Sequence, residues 1–392
     1  MHKASFSKID EIATVLQNTT YSQAFGLYSG NAGIVLFLYY YARFKDAPAI
    51  NHKASKMLAH VFKQVEEMSQ PLFSFCSGVA GVGWMVDHLC HHGFINADSK
   101  EILSNIDEYL YKYTLLQLNR GDYDFLHGAM GIVFYFIKRK RMDYLQKLIQ
   151  ALALTAIWDG EEAKWSSFIN REEGITGYSI ALSHGSSSIA LVLCKVLQML
   201  PQEEMVKTLL EGAVTYIVHQ EVPVERYGSY YPSFSIESQP ELYKSRLGWC
   251  YGDLGVALAI WQAGITLQHQ AWIDKGMEVL LFSAKKRGLR ENSVFDAGIC
   301  HGTAGIAQIF HRLYLTTKQE EFRDAAEYWF TETLNMAKFK DGLAGYKVWR
   351  SEKHGGLETK STFLEGIAGI GLSLLSFVMQ EDPAWDECLL LS

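Results

Sequence analysis

Two kinds of apolar segment alternate along the chain. Segments such as IVLFLYYYA at 34–42 are hydrophobic on nearly every face, which is typical of a helix buried all round. Others are amphipathic, with apolar residues at helical spacing and charged residues between them, as at 99–118 and 318–338. The pattern predicts pairs of helices, one buried and one half-exposed. The apolar stripes expected to face inward are Ile102, Ile106, Tyr109, Leu110 and Tyr113 in the first, and Phe322, Ala325, Trp329, Thr333 and Met336 in the second.

A glycine-rich turn separates the two helices of each pair, and it recurs seven times. Because each turn leads from an amphipathic segment into a buried one, all seven are expected at one rim of the fold. Closing the stack on itself removes its exposed ends, so we predict an all-α (α/α)7 toroid with seven inner and seven outer helices. An open helical solenoid uses the same periodicity and is the alternative. The turns are GNAG at 30, GVAG at 78, GAMG at 128, GSSS at 185, GDLG at 252, GTAG at 302 and GIAG at 366.

The regular repeat favours one domain over the whole chain, 1–392, with inserted loops at about 157–180, 219–246 and 338–362. Hydrophobic residues make up 48% of the chain and prolines number only seven, which suits a large helical core. The net charge of −7, without a dense basic stripe, disfavours nucleic acid as a partner. No segment is apolar enough to be a signal peptide or a membrane span. Six scattered cysteines indicate a reducing cytoplasm.

Two cysteines hold the same position in consecutive turns. Cys250 and Cys300 each stand two residues before the first glycine, and His301 follows directly. Two thiols and an imidazole with an open fourth position are typical of a catalytic zinc site. Cys76 has the same phase but lies three copies away, so we expect it only to pack. The alternative is that Cys250 and Cys300 are small buried hydrophobes and that His301 is a structural histidine satisfied by backbone hydrogen bonds.

Other polar residues of the turns are candidates for acid–base chemistry. His184 precedes the fourth turn, whose second glycine is replaced by Ser188, and Asp124 lies in the segment entering the third. Arg246 enters the fifth turn. The alternatives are that Asp124 caps the following helix and that Arg246 pairs with a surface carboxylate. A zinc site beside a proton donor predicts thiol alkylation or addition, with hydrolysis by zinc-bound water as the competing use.

At these residues the chain resembles the lanthionine synthetase C family, the cyclases that form thioether rings in lantibiotic peptides, and their eukaryotic relatives. The most specific pieces are RLGWCYGDLG at 246–255 and CHGTAG at 300–305, supported by ALSHG at 181–185. The resemblance covers essentially the whole chain. It implies one zinc ion held by Cys250, Cys300 and His301. It also implies His184 as the catalytic histidine, Asp124 as its acidic neighbour, and Arg246 and Tyr251 as further site residues.

The family implies a reaction as well. A cysteine thiol of a dehydrated precursor peptide adds to a dehydroalanine or dehydrobutyrine of the same peptide, with His184 as general acid and Arg246 facing the enolate. We therefore expect a cytoplasmic, zinc-dependent lanthionine synthetase, peripheral to the membrane if a biosynthetic complex holds it there. A separate dehydratase is the expected partner, with an exporter as a further member of the complex.

The sequence leaves three alternative functions open. One is a relative that binds glutathione or adds thiols without processing ribosomal peptides. Another is a zinc-stabilised scaffold that binds partners with its rim. The third is an (α/α) barrel glycosidase, which needs paired carboxylates across a cleft. Asp124, Asp253 and Glu365 offer no obvious pair, so the glycosidase ranks last.

Overall fold

The computed structural model describes residues 2–239, 241, 244–350, 355–379 and 381–392, and these form mainly α-helices. Three short antiparallel hairpins, β1–β2, β3–β4 and β5–β6, lie in the inserted segments. The helices are α1 His2–Gln17, α2 Asn31–Lys45, α3 Pro48–Glu66, α4 Val79–His91, α5 Ser99–Asn119, α6 Ala129–Lys138, α7 Met142–Leu154, α8 Ser186–Met199, α9 Glu204–Val218, α10 Val224–Tyr227, α11 Asp253–Leu267, α12 Gln270–Ala284, α13 Thr303–Thr317, α14 Glu320–Asn335 and α15 Ile367–Met379. The strands are β1 Ile157–Asp159, β2 Glu162–Lys164, β3 Ser167–Asn170, β4 Ile175–Gly177, β5 Val348–Trp349 and β6 Leu357–Glu358.

Seven helices each begin directly after the first glycine of a repeat turn. They are α2, α4, α6, α8, α11, α13 and α15. Their side chains are buried around nearly the whole circumference, as in α6, where only the terminal Lys138 escapes burial. An amphipathic helix precedes each of them: α1, α3, α5, α7, α9, α12 and α14. The predicted pairing of seven inner with seven outer helices is confirmed in the described chain.

The predicted inward stripe is right for α14 and only partly right for α5, where Leu110 is buried as predicted. In α14, Phe322, Trp329 and Met336 are buried as expected. In α5, Ile102 and Tyr109 are 41% and 66% exposed. Besides Leu110, the buried face consists of residues that were not predicted to face inward: Leu103, Asp107, Thr114, Gln117 and Leu118.

Asp107 explains the error in α5. Its carboxylate accepts hydrogen bonds from the hydroxyl of Tyr135 at 2.5 Å and from the guanidinium of Arg141 at 2.8 Å. It also lies 3.3 Å from the guanidinium of Arg139. An acidic residue is stable at a buried position only with partners of this kind, which a hydrophobic pattern does not reveal.

A shared backbone hydrogen bond closes six of the seven turns. The N–H of the first helical residue donates to the carbonyl seven positions earlier, for example Ala129 to Asp122 at 2.9 Å and Thr303 to Asp296 at 3.1 Å. The turn brings backbone so close that a Cβ on Gly305 would lie 1.8 Å from the carbonyl oxygen of Ile299. Glycine is therefore required for the close approach of the two chain segments.

One compact unit comprises residues 1–72, 76–99 and 288–392, and so contains α1–α4 and α13–α15. In it α15 packs against α1, α2 and α13. Backbone hydrogen bonds join neighbouring turns, from Cys300 N–H to Leu364 O, from Leu364 N–H to Tyr28 O and from Tyr28 N–H to Cys76 O. The last copy of the repeat thus bonds directly to the first, as a closed stack requires and an open solenoid does not.

The other compact unit comprises residues 73–75 and 100–287 and contains α5–α12. Here α11 packs against α8, α9 and α12, and α6 packs against α7 and α8. The turn before α8 bonds to the turn before α11 through Ser183 N–H and Cys250 O, 3.3 Å apart. The single domain predicted over 1–392 stays a prediction.

The three inserted segments contain the hairpins and irregular backbone. Hairpins β1–β2 and β3–β4 lie within 157–180, helix α10 within 219–246, and hairpin β5–β6 within 338–362. Residues 240, 242, 243 and 351–354 of these predicted segments lie outside the described residues. Among the helices that the structure describes, none is long and apolar enough to cross a membrane.

Candidate functional site

The fifth turn holds Cys250 in a backbone that differs from the other turns. Cys250 is buried, and its carbonyl accepts hydrogen bonds from both the N–H and the hydroxyl of Ser183. Gly252 has φ of +92°, and a Cβ there would lie 2.2 Å from the carbonyl oxygen of Arg246. Only glycine adopts this conformation without strain.

Asp253 stabilises this altered turn. It is the first residue of α11, and its buried carboxylate accepts hydrogen bonds from Tyr231 N–H and from Lys286 Nζ, both at 3.0 Å. A paired carboxylate at a helix N-terminus also interacts favourably with the helix dipole. Asp253 is thus a structural residue. Because both of its carboxylate oxygens are engaged, it does not supply a catalytic carboxylate for the glycosidase alternative.

The sixth turn presents Cys300 and His301 directly before α13. The N–H groups of Ile299 and Cys300 both donate to Leu364 O at 3.0 Å, which fixes the backbone of the cysteine. The Nε2 atom of His301 lies 3.2 Å from the carboxylate of Asp296. Burial alone would raise the pKa of Asp296, but hydrogen bonds and charge from His301, with two backbone N–H groups, lower it. Asp296 is therefore an ionised partner for the histidine.

The three predicted ligands offer a compatible donor set. Cys250, Cys300 and His301 each provide one ligand atom, and these atoms lie within 4.8 Å of one another. Two thiol sulfurs and one imidazole nitrogen suit Zn²⁺, and three protein ligands leave one coordination position for solvent or substrate. The chemistry of the donor set thus fits the predicted zinc ion.

His184 and Asp124 form a second part of the site. The Nδ1 atom of His184 and a carboxylate oxygen of Asp124 are 2.7 Å apart. The other carboxylate oxygen accepts the backbone N–H groups of Leu126 at 2.7 Å and His127 at 2.9 Å. Asp124 therefore both caps the third turn and orients His184. With Nδ1 bound to a carboxylate, Nε2 of His184 is left for proton transfer.

The charges of this pair support each other. Burial lowers the pKa of His184, but the charge and hydrogen bond of Asp124 outweigh it, so that the pKa is raised. Burial would raise the pKa of Asp124, yet the same partner, with His127, holds it well below its usual range. The His184 side chain remains 24% exposed. The histidine is thus accessible and favoured in its protonated form, as a general acid requires.

Sequence reasoning missed a third member of this cluster, Arg171. Its guanidinium binds Asp122 through two hydrogen bonds of 2.9 and 3.0 Å and lies 3.4 Å from Asp124. Arg171 belongs to the inserted segment 157–180, where no repeat phase marks it. Asp122 did carry a signal, because it stands six residues before Gly128, as Asp296 stands six residues before Gly302.

Tyr251 and Arg246 occupy different surroundings. The ring of Tyr251 lies between His184 and Phe234, with centroid distances of 5.9 and 5.6 Å. Arg246 is half-buried, and no described residue forms a hydrogen bond or ion pair with its guanidinium. The alternative that Arg246 pairs with a surface carboxylate thus has no support in the described residues.

Three of the remaining cysteines fit a packing role. All six are free of disulfide bonds, and Cys76, Cys194 and Cys388 are buried. Burial raises the pKa of the Cys194 thiol to about 12. A thiol of that kind is inert.

Comparison with known proteins gives concordant results over nearly the whole chain. A family model described as lanthionine synthetase C-like protein matches residues 21–390. The nisin biosynthesis protein NisC of Lactococcus lactis subsp. lactis is 22% identical over 393 residues, which cover 93% of this chain and 88% of the relative.

The fold is also known from a solved structure. A nisin cyclase structure superimposes with a TM-score of 0.76 at 18% identity, covering 98% of this chain and 96% of the other. The predicted all-α toroid is thereby confirmed.

Proposed function

Because the chain belongs to the lanthionine synthetase C-like family, we propose that it is a zinc-dependent lanthionine synthetase. It joins cysteine thiols of a dehydrated precursor peptide to dehydroalanine or dehydrobutyrine residues of the same peptide, forming thioether rings. The observation that carries the proposal is the donor set of Cys250, Cys300 and His301, with a histidine–carboxylate pair in the fourth and third turns. Neither cluster is needed to build a toroid.

Cys250, Cys300 and His301 would hold the zinc ion. When bound, zinc would lower the pKa of a substrate thiol, so that the thiolate predominates at neutral pH. The two thiolates would offset the ion's charge, and the histidine would bind as a neutral ligand. Hydrolysis, the competing use of such a site, is disfavoured by the family membership.

His184 supplies the proton that the addition requires. The new S–C bond forms at the β-carbon, the π electrons move to the carbonyl oxygen as an enolate, and the α-carbon must then be protonated. His184 donates this proton from Nε2, since Nδ1 is engaged with Asp124. The proton that the substrate thiol releases passes to solvent, and His184 is reprotonated from solvent, so that the step balances. Asp124 keeps the ring oriented and favours its cationic form.

Arg246 and Tyr251 complete the proposed site. The half-buried guanidinium of Arg246 stabilises the enolate oxygen, for which a fixed positive charge is well suited. Tyr251 borders the ring of His184 and limits its motion. The inserted segments 157–180, 219–246 and 338–362 contact the peptide. Arg171 links the first of these to Asp124.

The reaction consumes dehydroamino acids, which a dehydratase must supply beforehand. We propose that this partner is a separate protein acting in the cytoplasm, in a complex that also includes an exporter. None of the six cysteines forms a disulfide bond, which is compatible with a reducing compartment.

The decisive experiment follows the thiols of the substrate. Dehydrated precursor peptides with free cysteines, including any encoded beside this gene, are incubated with zinc-loaded protein, alkylated, and analysed by mass spectrometry. Ring formation leaves the peptide mass unchanged and removes the alkylatable thiols. Chelator-treated protein is the matched control and should leave the thiols free.

Peptides that stay alkylatable with every precursor would refute the cyclase. The test then extends to glutathione, offered with a small dehydroalanine acceptor. Consumption of glutathione would favour the thiol-adding relative. No reaction, with loss of the fold on zinc removal, would favour the zinc-stabilised scaffold.

A further inference from the structure

Asp296 collects three hydrogen-bond donors in a buried position. The side chain is 1% exposed. One carboxylate oxygen accepts the backbone N–H of Gly298 at 2.9 Å, and the other accepts that of Trp349 at 2.9 Å and lies 3.2 Å from Nε2 of His301. Buried carboxylates are stable only when so satisfied. Asp296 is thus held firmly and aimed at one nitrogen of a proposed metal ligand.

The acceptor character of Asp296 determines which nitrogen of His301 binds metal. A carboxylate that already accepts two N–H groups can only accept, so Nε2 of His301 carries the proton. A neutral imidazole protonated at Nε2 has its free electron pair on Nδ1. Only that nitrogen can then be a metal ligand.

We propose that Asp296 is the positioning residue of the zinc site, fixing His301 in the tautomer that binds zinc through Nδ1. The inference rests on the proposed zinc-dependent function and goes beyond it, since the three ligands alone do not specify a tautomer. Metal-bound histidines are usually oriented by such an acceptor, whose loss typically weakens metal binding ~10–100-fold.

The third turn provides an internal comparison. Its sequence D-Y-D-F-L-H-G at 122–128 has the same Asp and His spacing as D-A-G-I-C-H-G at 296–302. There, however, both carboxylate oxygens of Asp122 bind the guanidinium of Arg171, and within the described structure no hydrogen bond joins Asp122 to the ring of His127. The contact between Asp296 and His301 is therefore not an automatic product of the repeat turn. It occurs in the copy that also has a cysteine beside the histidine.

The hairpin β5–β6 takes part in this arrangement. Trp349, the last residue of β5, supplies one of the three N–H donors, and its ring packs on Phe295 with centroids 5.5 Å apart. A cavity of about 250 Å³ opens beside Asp296 between these rings and Phe339. The inserted segment 338–362 is one of those proposed to contact the peptide. The segment thus supplies a backbone donor to the carboxylate that orients His301.

The test compares Asp296→Asn with Asp122→Asn, which alters the same position of the third turn. Zinc affinity is measured by competition with a chromophoric chelator, and the thermal stability of the metal-free proteins is measured in parallel. An amide has one acceptor oxygen in place of two, so both variants should lose similar stability from their turns. Only Asp296→Asn should bind zinc more weakly, by ~10–100-fold. A folded Asp296→Asn with wild-type zinc affinity would overturn the proposal.

A second measurement covers the case in which Asp296→Asn does not fold. Long-range ¹H–¹⁵N correlation spectra of histidine-labelled wild-type protein report the tautomer of each ring, and His301→Gln identifies the signal. We expect Nε2 to be protonated with and without zinc, and Nδ1 to shift on zinc binding. Zinc bound through Nε2 would refute the proposal while leaving the cyclase intact. A wild-type chain that binds no zinc would refute the proposed function itself, and the metal-free spectrum would still test the hydrogen bond.

Discussion

The second and fifth turns place a cysteine at the same position but differ in the backbone that follows it. Both cysteines accept a backbone hydrogen bond from the preceding copy, Cys76 from Tyr28 at 2.9 Å and Cys250 from Ser183 at 3.3 Å. In the second turn Gly78 is extended, with φ of −116°, and Val79 N–H closes the turn on Leu72 O. The repeat therefore holds the carbonyl of a cysteine at this position, but it does not determine whether the thiol packs or binds a metal.

Among the described turns, the fifth lacks the backbone hydrogen bond that closes the other six. Gly252 is left-handed, and the described structure has no bond from Asp253 N–H to the carbonyl seven positions earlier. The Asp253 carboxylate, bound to Tyr231 and Lys286, anchors the turn instead. We infer that this redirected backbone directs Cys250 and Tyr251 towards the proposed site. The regular closure does not itself exclude a ligand, because Cys300 precedes a turn closed by Thr303 N–H on Asp296 O, so the inference concerns the fifth turn alone.

The largest difference is expected between the alanine variants of the two cysteines, Cys250→Ala and Cys76→Ala. Cys250→Ala removes one of three zinc ligands, so we expect loss of stoichiometric zinc and of all ring formation. Cys76→Ala should keep one zinc per chain and nearly full activity. Zinc content after gel filtration, measured by plasma emission, distinguishes the two. If Cys250→Ala keeps its zinc while Cys76→Ala loses it, the assignment is wrong.

The next largest effect concerns proton transfer beside the fifth turn. His184→Ala should keep its fold and its zinc but slow cyclisation by ~10²–10⁴-fold, the usual contribution of a general acid. Ring formation is timed by thiol alkylation of one dehydrated precursor. His127→Ala is the matched control, since that histidine has the same position in the third turn but donates only its backbone N–H to Asp124. Equal rates for wild type and His184→Ala would remove the histidine from the mechanism.

Repetition made much of this comparison predictable from the sequence. Seven glycine turns with alternating apolar and amphipathic segments determined the helix pairing, because helix burial and tight turns leave direct periodic signals. The phase shared by Cys250 and Cys300 likewise predicted the donor set, since equivalent positions of neighbouring copies lie close in space.

Features that break the repeat were not predictable in the same way. The buried face of α5 was misassigned because Asp107 is stabilised by arginines and a tyrosine from distant positions. Arg171 approaches Asp124 from an inserted segment that has no counterpart in other copies. The positive φ of Gly252 could not be predicted, because glycine adopts positive and negative φ about equally well and the sequence does not show which one occurs. Long-range partners and local backbone geometry require coordinates.

A smaller effect is expected from loosening His184 without removing it. In Asp124→Asn the charge that raises the pKa of His184 is lost, so that pKa should fall. Because the protonated ring is the acid, the rate should decline at a lower pH than in wild type. We expect roughly a 10-fold loss near neutrality, a part of the ~10²–10⁴ that the acid contributes, and less at pH 6 than at pH 8. A pH–rate profile parallel to that of wild type would contradict the role of Asp124.

The last prediction concerns the free energy of unfolding rather than activity, and tests Gly252, the glycine that distinguishes the fifth turn. Gly252→Ala should destabilise metal-free protein by about 3 kcal/mol, from backbone strain of ~1–3 kcal/mol at φ of +92° and ψ of −165° and from crowding of the Arg246 carbonyl. Gly93→Ala is the matched control: φ there is +65°, but a Cβ would meet nothing within 4 Å. It should cost about 1 kcal/mol from strain alone. Calorimetric unfolding of both variants separates strain from crowding. If Gly252→Ala is no less stable than Gly93→Ala, the fifth turn relaxes freely toward the geometry of the second, and the contrast between Cys250 and Cys76 rests on their neighbours rather than on the backbone.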